Sequence, residues 1–335
     1  MISVSFYKDK KILITGGTGT IGFHLTKRLL ADNPKVIRIF SRDEYKQFEM
    51  AQEFQEYATQ LRFLIGDVRD QGRLIRAMEG IDYVFHCAAM KHVPACEYNP
   101  FEAVQTNVVG TQNVIQAAIT NGVKKVLFTS TDKAISPTNT YGATKLTAER
   151  LISAAEYQKG PKSTTFSSVR FGNVMGSRGS VIPLFKKQIL EKGTITITDP
   201  DMLRYMMTPK QAIELILKAN ELAQGGEVFV LKMPVVRLGD LANVIIELVA
   251  QEDRPKVQVV SIGVRPGEKR FEELMTIEET LVAIETDSMF VIPSAFKSNN
   301  QPYVSQTRNK DTVHHKQPID ISTLYQWIVE EKIIL

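Results

Sequence analysis

Short apolar runs alternate with longer segments of helical period through the first half of this 335-residue chain. Each run has five or six residues and is rich in β-branched and aromatic side chains, which is typical of buried parallel strands. The segments between them repeat apolar residues on one helical face, as Ile21, Leu25 and Leu29 do. Strands that alternate with helices form a parallel sheet covered on both faces, so the pattern predicts a doubly wound α/β fold. The predicted strands are residues 11–15, 36–40, 61–65, 83–87, 125–130 and 166–171.

The pattern changes after residue 171, where the glycine- and asparagine-rich stretch 172–179 predicts a loop. Further helices and short strands alternate beyond it. We predict a main domain of residues 1–172, with a return to it around 209–235, and a smaller C-terminal α/β substrate lobe of residues 173–208 and 236–335. This lobe would cover the carboxyl ends of the strands, where sheets of this kind bind ligands. The helices predicted here are 181–192, 209–223 and 238–250, and the strands are 195–198, 227–231 and 257–261.

The composition argues against several classes of protein. The formal charge of +4 is small for this length, so we expect no nucleic-acid partner. Two cysteines form no disulfide framework and suit a reducing cytoplasm. We find neither a signal-peptide run nor a stretch of roughly 20 apolar residues, so we expect a cytoplasmic protein without membrane contact. The histidines and cysteines lack the spacing of a metal site, and we predict none.

The first predicted strand ends in a glycine-rich turn, TGGTGTIG, that leads into a helix. Glycines three residues apart permit a tight turn, the approach of a pyrophosphate and close helix packing. The start of the helix would then face the phosphates. In this context the motif predicts a Rossmann-type dinucleotide site, the alternative being a plain β–α turn. The turn residues predicted to contact the cofactor are Gly16, Thr18, Gly19, Thr20, Ile21 and Gly22.

The residues after the second predicted strand bear on the choice between NAD and NADP. An NAD site uses an acid about 20 residues after the glycines to bind the ribose 2′-hydroxyl. Here Ser41 and Arg42 come first and Lys46 follows, and a hydroxyl with two cations suits a 2′-phosphate. Asp43 is the competing candidate for the NAD acid, but we predict that it caps the next helix. We therefore predict NADP as the cofactor.

Further cofactor contacts are predicted where the next strands end. Asp67 and Val68 follow the third strand and would reach the adenine, although a turn aspartate explains Asp67 equally well. The ends of the fourth and fifth strands supply the other candidates, which are Cys87, Ala88, Thr129 and Ser130.

Tyr141 and Lys145 lie four residues apart in the sequence YGATK, and therefore on one face of a predicted helix. A tyrosine that accepts a proton needs a lowered pKa, and a lysine one turn away can lower it. Ser130 and Thr131, at the end of the fifth strand, would reach the same substrate hydroxyl. Together with the glycine turn, this pattern indicates the chemistry of short-chain dehydrogenases/reductases.

Asp132 and Lys133 follow that strand directly. An acid beside a base at this point can carry out an elimination as well as assist hydride transfer. The alternative is an ordinary surface ion pair on a loop.

Several motifs together resemble one family, the inverting UDP-N-acetylglucosamine 4,6-dehydratases of the PseB type, which are extended short-chain dehydrogenases/reductases. The resemblance runs from about residue 11 to about residue 275 and fades beyond it, so we assign no role to 276–335. The motifs are TGGTGTIG, SRDEYKQFEM, GDVRD, AAMKHVPACEYNPFEAVQTNVVGTQNVI, STDKA, YGATKL, VRFGNVMGSRGSVIPLF and RPGEK.

The resemblance implies a role for each catalytic residue. Tyr141, supported by Lys145, would oxidise the sugar at C4 with transfer of the hydride to NADP. Lys133 would take the C5 proton, Asp132 would help water to leave from C6, and the hydride would return to C6. Dehydratases of dTDP-glucose typically carry Asp-Glu where this chain has Asp-Lys. A lysine base must be neutral, so we expect burial and the cations of Lys91 and Lys145 to lower the pKa of Lys133 against the effect of Asp132.

The resemblance also implies the substrate contacts. Lys91 would lie between cofactor and sugar, two arginines would bind the diphosphate, and a glutamate would bind the ribose hydroxyls. Surface ion pairs are the alternative for both arginines. A homo-oligomer, either a dimer or a hexamer, is also implied. The predicted substrate residues are Lys91, Thr131, Asn173, Val181, Thr194, Met202, Arg204, Arg265 and Glu268.

Three alternatives stay open at this point. A retaining 4,6-dehydratase is one, although many retaining members carry methionine in place of Tyr141. A C4 epimerase of UDP-N-acetylhexosamine is the second, although it would not need Asp132 and Lys133. A non-catalytic NADP-binding sensor is the third, but it would have no use for all four catalytic residues. The sequence leaves open which glycan the product serves: pseudaminic acid, capsule or another.

Overall fold

The computed structural model describes residues 5–250, 256–264, 267–294 and 317–334. The predicted diphosphate ligand Arg265 lies outside the described residues. The helices in these ranges include none that is long and apolar enough to cross a membrane.

The main sheet has nine strands within the described residues, in the order β13-β14-β10-β6-β5-β4-β1-β2-β3. From β3 to β10 every neighbouring pair is parallel, and β14 and β13 are added antiparallel at the end. The order 3-2-1-4-5-6 is that of the Rossmann fold, so the predicted fold class is confirmed. The strands are β1 (Lys11–Thr15), β2 (Val36–Ser41), β3 (Leu61–Ile65), β4 (Tyr83–His86), β5 (Lys125–Thr129), β6 (Thr165–Arg170), β10 (Val228–Leu231), β13 (Ile284–Glu285) and β14 (Met289–Ile292).

Two smaller sheets lie outside the main one. One has the order β11-β9-β7, and the other pairs β12 with β8 in parallel. Their strands are β7 (Asn173–Val174), β8 (Thr194–Ile197), β9 (Leu203–Met207), β11 (Val235–Arg237) and β12 (Gln258–Ser261).

The helices follow the strands in alternation. Several have clear terminal signals, such as the capping box of Thr208 and Gln211 before α9, and the left-handed Gly122 that ends α6. The helices are α1 (Thr20–Leu30), α2 (Glu44–Glu53), α3 (Gln71–Met78), α4 (Val93–Tyr98), α5 (Pro100–Val104), α6 (Gly110–Asn121), α7 (Thr140–Gln158), α8 (Val181–Lys192), α9 (Pro209–Leu222), α10 (Leu238–Val249), α11 (Ile277–Val282) and α12 (Ile321–Glu330).

The core lies on both faces of the main sheet. In β1, Ile12 and Ile14 belong to one buried cluster and Leu13 belongs to the other. This explains the uninterrupted apolar runs, because strands that are covered on both faces need apolar residues at every position. A third cluster, which includes Phe185, Ile195 and Leu241, forms the core around the smaller sheets.

Candidate active site

The predicted site residues gather at the carboxyl ends of β1, β4, β5 and β6. The chain continues from these ends into the glycine turn, the segment from Cys87, the segment from Ser130 and the segment from Phe171. Backbone hydrogen bonds fix these segments to each other: Ser130 N donates to Val169 O at 2.7 Å and Asp132 N donates to Phe171 O at 3.1 Å. Ligands of open α/β sheets bind at this edge.

The glycine turn has room only for glycine at two of its positions. Gly16 has a φ of +67°, and a Cβ atom on it would lie 2.7 Å from the Cα of Ala88. A Cβ atom on Gly22 would lie 2.5 Å from the Cα of Gly17. Gly19 precedes α1 and leaves the first amides of that helix without a side-chain cap. The turn therefore exposes backbone without side chains at the start of a helix. The free amides at such helix starts bind phosphates, so the turn fits a pyrophosphate.

Arg178, which the sequence analysis did not single out, closes the other side of the turn. Its guanidinium donates to Thr18 O at 3.0 Å, and its backbone N donates to the Thr20 hydroxyl at 3.1 Å. The glycine- and serine-rich neighbours of Arg178 predicted only a loop, and spacing alone did not indicate its partner.

The residues after β2 divide into two groups. Asp43 is confirmed as the N-cap of α2, since its carboxylate accepts from Lys46 N at 3.0 Å, and it also pairs with the Lys46 ammonium. The Lys46 ammonium holds the pKa of Asp43 below its usual range. The Arg42 side chain remains 61% exposed, with its guanidinium 3.7 Å from Asp67, and the buried Ser41 hydroxyl accepts from Gln47 at 3.0 Å. Asp43 is thus engaged within the protein, whereas Arg42 can reach a ligand.

The other predicted cofactor residues surround the same cleft. Asp67 pairs with Arg69 at 2.8 Å and Val68 is buried against the helices. Burial raises the pKa of the Cys87 thiol to about 12, so this cysteine lines the cleft as an uncharged thiol. The Ser130 hydroxyl is buried and has no hydrogen-bond partner among the described residues. Such an unsatisfied hydroxyl fits a polar ligand.

Tyr141 lies in the first turn of α7, which begins at the N-cap Asn139. Its hydroxyl lies close to the Thr131 hydroxyl and to Lys133. Burial raises the pKa of Tyr141 to about 12, while the Thr131 hydroxyl and the Lys133 charge act to lower it. The expectation that the Tyr141 pKa is lowered is therefore wrong for the protein alone, because burial outweighs both neighbours.

Lys145 is buried one turn further along α7. Its ammonium donates to Thr129 O at 2.5 Å and lies 3.9 Å from the centre of the Phe128 ring. Burial lowers the pKa of Lys145 to about 7. After burial, the largest effects on the pKa of Tyr141 come from Thr131 and Lys133 rather than from Lys145.

Asp132 and Lys133 form a partly buried ion pair instead of a surface one. The Asp132 side chain is fully buried, and its Oδ1 accepts from Lys133 Nζ at 3.1 Å and from the Thr131 hydroxyl at 2.9 Å. Burial lowers the pKa of Lys133, but Asp132 and Glu272 outweigh it and raise that pKa above its ordinary value. The expectation of a lowered Lys133 pKa is wrong, because two carboxylates face this ammonium.

Glu272 is a site residue that the sequence analysis missed. It is buried, and its Oε1 lies 3.6 Å from Lys133 Nζ. The chain has Glu272 and Glu273 side by side after RPGEK, and no local pattern distinguishes the buried one from the exposed one.

Asn107 was also missed. It lies in a π-helical turn, Gln105–Val109, between α5 and α6. Its side-chain amide bonds both backbone groups of Met90, at 2.8 and 3.0 Å, and the Thr144 hydroxyl at 3.0 Å. Asn107 therefore ties the segment that leads to Lys91 to the helix that carries Tyr141. Turns of this type are frequent at functional sites.

A cavity of about 200 Å³ lies between β9 and the start of α8. The Ser180 hydroxyl, which lines it, is buried and has no hydrogen-bond partner among the described residues. Arg204 bonds Lys269 O at 2.7 Å and pairs with Glu268 at 3.3 Å. Thr194, Lys91 and Thr131 are not among the lining residues. Five predicted substrate residues do line the cavity: Asn173, Val181, Met202, Arg204 and Glu268.

Known proteins with similar sequences carry several different names. A family model described as a polysaccharide biosynthesis protein matches residues 12–294. An uncharacterized membrane protein of Methanocaldococcus jannaschii is 53% identical over 291 residues, which are 86% of this chain and 87% of that protein. An inverting UDP-N-acetylglucosamine 4,6-dehydratase of Campylobacter jejuni is 45% identical over 293 residues, 87% and 85% of the two chains. A UDP-glucose 4-epimerase of Rickettsia typhi is 42% identical over 291 residues, 86% and 84% of the two chains.

The solved structures that resemble this chain include a 4,6-dehydratase, as the sequence relatives do. The X-ray structure of Pen from Bacillus thuringiensis has a TM-score of 0.90 and 53% identity, covering 99% of this chain and 100% of that one. DesIV of Streptomyces venezuelae, a dTDP-glucose 4,6-dehydratase solved with NAD bound, has a TM-score of 0.69 and 25% identity over 80% of this chain and 88% of that one. The chain therefore belongs to the polysaccharide biosynthesis protein family, among relatives that include inverting UDP-N-acetylglucosamine 4,6-dehydratases.

Proposed function

We propose that this protein is an NADP-dependent UDP-N-acetylglucosamine 4,6-dehydratase that inverts C5. Its product would be UDP-2-acetamido-2,6-dideoxy-β-L-arabino-hexos-4-ulose. The observation that carries the proposal is the cluster of the buried Thr131 and Asp132 with the partly buried Lys133 and Tyr141 beside the glycine turn. An epimerase needs the tyrosine but has no use for a buried acid–ammonium pair, which favours the dehydratase over the epimerase that other relatives are named for.

The glycine turn, Ser41 and Arg42 would hold the cofactor. When bound, NADP accepts a hydride from C4 of the sugar and returns it to C6. The preference for NADP over NAD is supported by Asp43, whose carboxylate is engaged by Lys46 and by the α2 cap instead of being available to a ribose. The exposed Arg42 guanidinium suits a 2′-phosphate.

Tyr141 removes the proton from the C4 hydroxyl. The phenol is protonated in the protein alone, since its pKa is raised to about 12. The Thr131 hydroxyl and the Lys133 charge both act to lower that pKa, so they favour the phenolate. Lys145, held on Thr129 O, is a buried donor next to the same cleft.

Asp132 and Lys133 carry out the elimination. Moving one proton along their 3.1 Å hydrogen bond turns the ion pair into a neutral amine and a protonated acid. The amine takes the C5 proton, which the C4 ketone has made acidic, and the acid protonates the C6 hydroxyl as it leaves. The pair thereby returns to an ammonium and a carboxylate, and the protons balance.

The nucleotide occupies the cavity beside α8. Asn173, Val181 and Met202 line it, and the unsatisfied Ser180 hydroxyl at the start of α8 is a donor for a phosphate oxygen. Arg204 and Glu268 lie at the same cavity, although their ion pair must open or turn to bind a ligand directly.

The proposal is tested by NMR of the products formed from UDP-N-acetylglucosamine in D2O. We expect a 4-keto-6-deoxy sugar that carries deuterium at C5 and has the coupling constants of the L-arabino configuration. A first product of D-xylo configuration would instead identify a retaining dehydratase, and UDP-N-acetylgalactosamine would identify an epimerase. Lys133→Ala should still reduce the cofactor transiently while forming little product.

A further inference from the structure

Glu272 is held in place against the Asp132–Lys133 pair. Its side chain has 4% of its surface exposed, and Oε1 lies 3.6 Å from Lys133 Nζ. Its Oε2 is buried without a hydrogen-bond partner among the described residues. The flanking segment is fixed as well, because Lys269 Nζ donates to Ile135 O at 2.7 Å and Leu274 is buried.

Burying a carboxylate at this position costs free energy. Lys133 does not need a second anion, because one carboxylate is enough to neutralise its charge. Asp132 already neutralises Lys133 through a direct hydrogen bond. Burial and the Asp132 charge outweigh the opposing charges of Lys133, Arg204 and Lys269, so the pKa of Glu272 is raised above its ordinary value. An apolar or neutral side chain would avoid the desolvation of a second charge. The presence of this carboxylate therefore indicates a purpose beyond packing.

We propose that Glu272 is a positioning residue for the elimination: it is the permanent counter-ion of Lys133, the partner that remains charged when Asp132 carries the proton. The inference rests on the proposed dehydratase function. When Asp132 carries the proton, Lys133 is a neutral amine. Asp132 therefore cannot neutralise the ammonium that forms as Lys133 takes the C5 proton until it has passed its own proton to the C6 hydroxyl. Glu272 then anchors the amine and stabilises the ammonium that forms when Lys133 takes the C5 proton. In this role Glu272 acts through its charge and transfers no proton.

Three variants test this role. Glu272→Gln keeps the shape and removes the charge, and Glu272→Asp keeps the charge on a shorter side chain. Glu273→Gln is the matched control, since it removes the neighbouring exposed carboxylate. Each is compared with the wild type for transient cofactor reduction, which reports C4 oxidation, and for formation of the 4-keto-6-deoxy product.

A second measurement does not depend on turnover. Lysine labelled with 13C at Cε is titrated by NMR, and the Lys133 signal is identified by its loss in Lys133→Arg. Removing an anion beside a cation destabilises the ammonium, so Glu272→Gln should lower the pKa of Lys133.

We expect Glu272→Gln to slow product formation about 10- to 100-fold with C4 oxidation preserved. Glu272→Asp should recover part of the loss, and Glu273→Gln should match the wild type. An unchanged Lys133 titration in Glu272→Gln would overturn the inference, as would an equal loss of both half-reactions. Should the wild type fail to dehydrate the sugar, the proposed function fails, while the titration still decides whether Glu272 is the counter-ion.

Discussion

The ionisable side chains of the site depend on neighbours that come from distant parts of the chain. Lys133 is held charged by Asp132, its neighbour in sequence, and by Glu272, which is 139 positions away (272 − 133). The pKa of Tyr141 is affected most, after burial, by Thr131 and Lys133. The motif residues could be predicted from spacing, but their protonation could not, because burial and remote charges determine it.

The hydroxyl of Thr131 should control the pH dependence of C4 oxidation. A tyrosine base must lose its proton, and the pKa of Tyr141 is raised to about 12, so the rate should increase as pH rises from neutral to alkaline. Thr131→Val removes a hydroxyl that acts to lower this pKa. The profile should therefore move to higher pH, and the rate at pH 7 should fall roughly tenfold.

Single-turnover reduction of the cofactor measured across pH checks this. Thr131→Ser keeps the hydroxyl and should follow the wild type. A Thr131→Val profile that superimposes on the wild-type profile would mean that another group tunes Tyr141.

Arg42 should determine the preference between NADP and NAD. Its guanidinium is exposed and only loosely paired with Asp67, so it is free to bind a 2′-phosphate. Loss of a charge-assisted contact costs about 1.5–3 kcal/mol, and Arg42→Ala should weaken NADP binding by roughly 10- to 150-fold while leaving NAD binding nearly unchanged. Calorimetric titration of both cofactors measures this. Equal affinity of the wild type for NAD and NADP would contradict the proposed preference.

At the scale of elements, a buried charge network joins the sheet to the catalytic helix. Arg170 in β6 is fully buried and pairs with Glu149 in α7 at 2.5 Å and with Glu279 in α11 at 2.8 Å. The two carboxylates outweigh burial and raise the pKa of Arg170, so it remains charged. The network fixes α7, and therefore Tyr141 and Lys145, against the strand next to β5.

Removing the cation of this network should destabilise the whole fold. Arg170→Met removes the cation that pairs with the buried Glu149 and the partly buried Glu279, which costs about 3–5 kcal/mol. Lys192→Met, which removes an exposed cation at the end of α8, should stay within about 0.5 kcal/mol of the wild type. Urea denaturation followed by circular dichroism measures both. If Arg170→Met unfolds at the wild-type midpoint, the network contributes nothing to stability.

The sequence predicted elements well where the pattern is local. The predicted strand 61–65 and helix 181–192 match β3 and α8 residue for residue. The helical period of residues 101–121 agrees with a continuous run of α5, a π-helical turn and α6, but no apolar period reveals the π-helical turn around Asn107. Strands β9 and β14 were not predicted, because short strands depend on remote pairing partners more than on their own composition.

At the scale of the whole molecule, the two predicted ligand sites are connected by one loop. The loop 176–180 lies between the glycine turn and the nucleotide cavity: Arg178 bonds Thr18 and Thr20, whereas Gly179 and Ser180 line the cavity. A ligand that orders this loop at one site reduces the cost of ordering it at the other. Binding of NADP and of UDP should therefore be coupled.

Arg178 should transmit this coupling. In the wild type we expect NADP to tighten UDP binding by about 5- to 150-fold, which corresponds to a typical coupling of roughly 1–3 kcal/mol. Arg178→Ala removes the guanidinium contact with Thr18, so most of this factor should disappear. Lys187→Ala, which alters an exposed cation of α8, should keep the coupling.

Titrations of UDP with and without NADP measure the factor, and titrations of NADP with and without UDP must return the same value, because binding linkage is reciprocal. Coupling that survives intact in Arg178→Ala would mean that the two sites communicate by another route, such as the Asn107 contacts between Met90 and α7.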